Sequence, residues 1–204
     1  MAALADVFQN NIGRLLANRV DRKGDKEARN TRENGSVNND LSPIQPQWLP
    51  PNIFDNLKPG GWVEFHETAN TLYSEDKSLR SDNALVQLME GLMKACENIG
   101  RTFDPAPSLQ KWAKEAGFTQ VTEQRVRLPV GRWPKDKRLR DIGTLMAANF
   151  YKGVQRFTAK TFRDILGWSE DEVEILNASV MRASRYCDAR AMFDFVVVTT
   201  RKPL

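Results

Sequence analysis

The only histidine of the chain, His66, stands between two acids in the run Trp62-Val-Glu-Phe-His-Glu67. Imidazole titrates near neutral pH, so a histidine held against a carboxylate can take a proton from a substrate as a general base. In an extended run, alternation puts Glu64 and His66 on one face and Glu67 on the other. Paired carboxylates do acid–base work when burial separates their pKa values. A polar strand end that faces solvent has the same composition, so a structural or solvent-facing His66 is the competing reading.

A second chemically capable group surrounds Trp133: Arg132, Lys135, Lys137, Arg138 and Arg140. Cations beside an aromatic ring are what nucleic-acid binders present. A solvated helix start has the same look, although cations there oppose the helix dipole at roughly a few tenths of a kcal/mol each. An anionic substrate is one reason to keep them. Across the chain, 30 basic and 26 acidic residues are interleaved to a net charge of +4, which favours solubility over nucleic-acid binding. One histidine and two distant cysteines, Cys96 and Cys187, make neither a zinc set nor a disulfide framework. No Gly-x-Ser-x-Gly elbow or phosphate-cradling loop occurs. The cysteines read as reduced residues of a cytoplasmic or nuclear protein, and no run is long and apolar enough to predict a membrane span.

The elements that must position these residues follow from pattern. Leu4, Val7, Phe8, Ile12, Leu15 and Leu16 predict an N-terminal helix. Asp21 to Asn39 holds almost nothing apolar and predicts a mobile stretch. Leu41 to Asn52, with four prolines, predicts an extended loop. A Pro59-Gly60-Gly61 turn then feeds a strand over Trp62–His66, which would place His66 at the strand's carboxyl end. Helices are predicted from Ser81 as cap to Ile99 and after Ser108. A strand is predicted over Phe118–Leu128. A helix after Pro134 uses Leu139, Ile142, Leu145, Met146 and Phe150, and a short separate one spans Thr161–Leu166. The last helix opens on the capping box Ser169-Glu-Asp-Glu172. Met192–Thr200 is the clearest strand.

Several segments carry a resemblance. Asp40-Leu-Ser-Pro-Ile-Gln-Pro-Gln-Trp-Leu-Pro-Pro-Asn52 and Asn56-Leu-Lys-Pro-Gly-Gly-Trp-Val-Glu-Phe65 resemble signature segments of the fungal LaeA-like methyltransferases. So do Gly117-Phe118, Leu128-Pro-Val-Gly-Arg-Trp-Pro-Lys-Asp136, Ile165-Leu-Gly-Trp-Ser169 and Arg201-Lys-Pro203. The resemblance covers about three quarters of the chain, in the family's order. It implies an α/β fold: the incomplete, Rossmann-like C-terminal half of a class I methyltransferase, with about three strands and five or more helices. Residues 1–52 would form an N-terminal helix, a polar linker and a Pro-rich loop, and residues 53–204 the methyltransferase-like half.

The implied reaction is methyl transfer from S-adenosylmethionine to a small molecule of fungal secondary metabolism. Asp40 matches the acid that in this family closes the second strand and bonds the cofactor ribose; as a loop aspartate before a Ser-Pro turn it needs no such role. The family's Gly-x-Gly loop is absent, and a second gap falls between Asn52 and Ile53, where the next two strands and an adenine-contacting acid belong. Cofactor binding is therefore expected to be impaired. Missing exons in the gene reading would produce the same gaps. Arg190-Ala191-Met192 replaces the family's His-Ala-aromatic triplet. With its usual neighbour missing, Trp62 to Phe65 would be an apolar edge inviting a protein partner or a second copy. The alternatives to an enzyme of this family are a non-catalytic interaction module and a cofactor-free isomerase or cyclase.

Overall fold

The computed structural model describes residues 51–204. The expected N-terminal helix, the polar stretch, Asp40 and the Pro-rich run as far as Pro50 lie outside the described residues.

A short helix, α1 (Pro51–Asn56), comes first. It corrects the expected loop: a proline at the first helical position has its φ preset and lacks only an N–H that the helix does not use. After the glycine turn comes β1 (Trp62–Thr68), two residues longer than expected. The next helix, α2 (Ala84–Asn98), is capped by Asn83, whose side chain accepts from the Leu85 amide at 2.9 Å. Ser81, the expected cap, stands too far ahead of the first turn to do this. A 3-10 turn leads into α3 (Leu109–Glu115) and then β2 (Thr119–Pro129).

Asp136 caps α4 (Lys137–Lys160) through the Leu139 amide at 2.9 Å. This helix continues without a break into a π-type turn, Thr161–Ile165, so the separate helix expected there is the tail of α4. Its buried stripe is Met146, Phe150, Val154 and Phe157, while Leu139 and Leu145, expected inward, are 40% and 46% exposed. Leu145 lies two residues, about 200°, from the packed Gly143 and so faces away. The capping box of α5 (Glu170–Tyr186) forms as expected, Ser169 and Glu172 each satisfying the other's backbone amide. The chain then enters β3 (Met192–Arg201).

The three strands form one sheet in the order β1-β3-β2, with β3 antiparallel to both neighbours. Being central, β3 is covered on both faces, and Phe193, Phe195, Val196 and Val198 are at most 2% exposed. A strand buried on both sides reads as a continuous apolar run, which is why this one was legible. Burying a side chain of this size contributes about 1.5–3 kcal/mol. On one face Val63, Phe65, Val196 and Val198 meet Phe54 and Leu57 at α1, Leu109 and Ala113 of α3, and Phe118. Helix α5 packs on both α2 and α4, α2 also packs on the π-type turn after α4, and α4 packs on β2.

Two of the segments that carried the resemblance meet here. The Gly60 amide donates to the Lys202 carbonyl at 3.0 Å, and the Lys202 amide to the Gly61 carbonyl at 2.9 Å. Arg201 donates to the Gly60 carbonyl at 2.9 Å and lies over the Trp62 ring. The Lys202 ammonium donates to the Phe54 carbonyl at 2.6 Å, closing the carboxyl end of α1. The Ile165–Ser169 segment forms another joint. Trp168 packs edge-on against Phe162 at 4.9 Å, and Phe162 lies so close to α2 that a Cβ at Gly91 would stand 2.3 Å from its ring.

Gly91→Ala therefore trades better helix propensity for a clash with a fully buried ring. The variant is expected to lose about 1–3 kcal/mol of stability in urea unfolding, the usual cost of overpacking, whereas alanine at an open helical site would stabilise.

Candidate functional site

Because β1 and β2 both run against β3, their carboxyl ends gather at one end of the sheet with the start of β3. Open α/β sheets place their ligands outside the carboxyl ends of their strands. The chain after β1 is tied there: the Ala69 amide donates to the Asp194 carbonyl at 2.8 Å, and Tyr73 exchanges two backbone hydrogen bonds with Met192.

His66 and Glu64 share a face, as alternation required, and Nε2 of the ring lies 3.2 Å from Oε2 of Glu64. The other oxygen of Glu64 accepts from the Thr199 hydroxyl at 3.2 Å, so the carboxylate is oriented from both sides. The ring also meets Phe195 edge-on at 5.7 Å. Both side chains are about half exposed, at 45% and 50%, so the pair adds little to stability and stays open to solvent. It can act as an oriented base toward a molecule arriving from water. His66 is not at the end of its strand, as the sequence reading had it, because β1 continues to Thr68.

Glu67 points to the opposite face and is buried. Burial raises its pKa; the Thr68 amide, donating to Oε1 at 3.0 Å, pulls the other way, and nearby Asp104 adds to the rise. Burial likewise raises Asp104, although Asp104 accepts from the Asn70 amide at 3.0 Å and so fastens the turn after β1. Arg125 on β2 bonds Glu123 at 2.7 Å and pairs with Asp194 at 3.6 Å. Tyr73 donates to Asp194 at 2.7 Å, and burial followed by that hydrogen bond pushes its pKa up to about 12. Arg127 pairs with Glu75. Asp104, Asp194 and Tyr73 carried no mark in the sequence, since each finds its partner tens of residues away or more. This arrangement holds the site end of the sheet together.

The basic residues around Trp133 lie on the loop after β2 and the first turn of α4. Arg132, Lys135, Lys137 and Arg138 are exposed, and Arg140 is partly buried. Arg190, in place of the family histidine, pairs with Asp76 at 3.3 Å, and its amide donates to Ser78. Asp40 lies outside the described residues. Among the described residues no group of three His, Cys, Asp or Glu side chains could hold a metal ion, and no helix is long and apolar enough to cross a membrane.

No protein-family profile matches the chain. Methyltransferase pytC of Aspergillus terreus is 42% identical over 206 residues, covering 82% of this chain and 64% of its own length. The probable methyltransferase tdiE of Emericella nidulans is 27% identical over 150 residues, 74% of this chain and 47% of its own. The secondary metabolism regulator laeA of Monascus pilosus is 28% identical over 153 residues, 74% of this chain and 41% of its own. Mixed helices around a sheet ordered β1-β3-β2 make this a partial methyltransferase fold of the α/β class. The chain belongs to the LaeA-like methyltransferase family of fungal secondary metabolism. It spans less than two thirds of the length of these curated relatives. The pytC match runs over 206 positions yet occupies only 82% of 204 residues, so it passes over positions of pytC that have no counterpart within the matched part of this chain.

Glu67 gives this end of the fold a pH signature. Its folded pKa lies above the ordinary value of 4.5, so the neutral acid is the form the fold prefers. Its favourable contribution is complete below 4.5 and is lost as pH rises through the raised folded pKa. Glu67→Gln is expected to raise the thermal midpoint at neutral pH and to leave it unchanged in acid below that value. Melting curves across pH check this.

Proposed function

We propose that the chain is a methyltransferase-like protein of fungal secondary metabolism whose own residues do not hold S-adenosylmethionine. Methyl transfer works by aligning an acceptor with the methyl carbon, so the donor must be gripped before alignment means anything. The observation that carries the reading is that the 12 glycines of the chain include no Gly-x-Gly spacing. Such a loop lets backbone amides and a helix start approach the cofactor closely.

The one glycine pair, Gly60–Gly61, leads into a strand instead of following one, and its amides are already used by the carbonyls of Lys202 and Lys58. The residues present therefore do not fit the cofactor, and no catalytic step is assigned through it. Asp40 on this account is a residue of the family pattern in a chain that carries no Gly-x-Gly spacing before it.

A second reading, an interaction module, is favoured by one feature: Trp62, at the start of the outer strand β1, is 54% exposed despite its stacking with Arg201. Large exposed aromatics are what interfaces bury. Trp62 to Phe65 would then meet a protein partner or a second copy, and a strictly monomeric chain in light scattering that captures no partner would end this reading.

Isothermal titration calorimetry of the full chain with S-adenosylmethionine, and separately with S-adenosylhomocysteine, tests the main proposal. No saturable heat is expected from either. A micromolar Kd for either one contradicts it.

A further inference from the structure

Of the two outer strands of the sheet, β2 is the longer, and among the described residues nothing pairs with its outer edge. Which of its backbone groups face that edge follows from its carboxyl end. The Val130 amide donates to the Ala191 carbonyl at 2.9 Å, whereas Met192 uses its own amide and carbonyl on Tyr73, across on the β1 side. Hydrogen-bonded and non-bonded pairs alternate along an antiparallel ladder. Thr122, Gln124, Val126 and Leu128 therefore turn their backbone groups toward β3, and Glu123, Arg125 and Arg127 turn theirs outward. Most of this stretch is exposed, and burial resumes only at Leu128.

The open edge is bounded at both ends. Pro129 stands at an outward position with no N–H to offer. On the other side the register with β3 shifts between Thr119 and Thr122, and Gln120 sits at φ +52°. Residues 121–127 remain, with Gln124 at their centre. An unpaired edge recruits another strand unless something stops it, and charges of one sign are the usual stop. This edge instead carries opposite charges on either side of its centre: Glu123 and Arg125 share a face and bond each other at 2.7 Å.

A second copy related by a two-fold axis meets such an edge antiparallel and makes each contact twice. Turned about Gln124, Glu123 of one copy faces Arg125 of the other, Gln124 faces its own counterpart, and Thr122 faces Val126. Sliding the copies by two residues sets Arg125 against Arg125 or Glu123 against Glu123, a direct cross-strand repulsion. A slip of one residue turns outward backbone groups toward inward ones, and the ladder is lost. A single register satisfies both the backbone and the charges.

We propose that this edge is a homodimer interface, two copies joining along β2 in antiparallel register about Gln124 to make one continuous sheet. The backbone ladder supplies the attraction, and the Glu123 and Arg125 pairs fix the register. The proposal goes beyond the functional readings above. It does not involve S-adenosylmethionine, and it uses the outer strand opposite the one that carries Trp62, so each idea can fail without the others.

Sedimentation equilibrium of the full chain reads the association, and a dimer is expected at micromolar concentrations. Glu123→Arg sets arginine against arginine across the axis, and Arg125→Glu sets glutamate against glutamate. Each alone is expected to weaken dimerisation about tenfold or more, because the like-charge contact occurs twice. Mixed in equal amounts, the two variants present opposite charges to each other and are expected to recover a dimer. Gln124→Cys decides the matter if either variant fails to fold. Directly opposed non-bonded residues lie about 4.5 Å apart at Cα, within reach of a disulfide. With oxidised glutathione present, this variant is expected to cross-link between chains far faster than Thr122→Cys, whose twin lies away from the axis. The proposal is overturned by a wild-type chain that stays monomeric, by a dimer that withstands both single substitutions, or by folded variants that do not recover a dimer when mixed. Cross-linking of Gln124→Cys no faster than that of Thr122→Cys, or a folded Trp62→Ser variant that is monomeric, overturns it equally.

Discussion

The described part of the chain depends on β3 being shared. It is the only strand that touches both of the others, it pairs along nearly its whole length, and it is buried on both faces. Because β1 and β2 each run against it, they are parallel to one another, and the chain between them, through α2 and α3, crosses over the place that β3 later fills. That places the turn after β1 and the loop after β2 at the same end of the sheet. The acid–arginine–tyrosine network and the Trp133 loop both depend on this placement. A change that loosens the pairing of β3 would disperse both at once.

The segments that tie this chain to its family are, within the described residues, mostly joints. Pro-Gly-Gly and Arg-Lys-Pro, more than 130 residues apart, clasp each other at the open end of the sheet. The Gly-Trp-Ser segment ends the π-type turn, packs Trp168 on Phe162 and caps α5. The Pro-Val-Gly-Arg-Trp-Pro segment lays the loop after β2 on α4. A chain can therefore keep these segments for the sake of folding, whatever has become of its chemistry. Family membership and cofactor binding rest on different residues, and this chain holds the first set without the glycine spacing of the second.

What could be read in advance was what depends on neighbours in sequence. The apolar run of β3, the capping box at Ser169 and the shared face of Glu64 and His66 are consequences of local spacing, and each appears in the structure. Pro51 misled because one residue type both forbids a helix interior and favours its first position. Thr161 to Leu166 was expected as a separate short helix ended by Gly167; in the structure it runs on from α4 as a π-type turn whose Phe162 lies against Gly91 of α2, a contact no local pattern announces. Tyr73 with Asp194, 121 residues apart, and the unpartnered indole of Trp133 had no local signal at all.

Amide hydrogen exchange, resolved by residue in the full chain, tests most directly whether β3 organises the fold. The account predicts that the amides from Phe193 to Thr200 exchange last, and only through global unfolding. If they exchange early, while the helices α2, α4 and α5 remain protected, the helical layer holds the structure and the sheet merely rests on it, which would contradict the account.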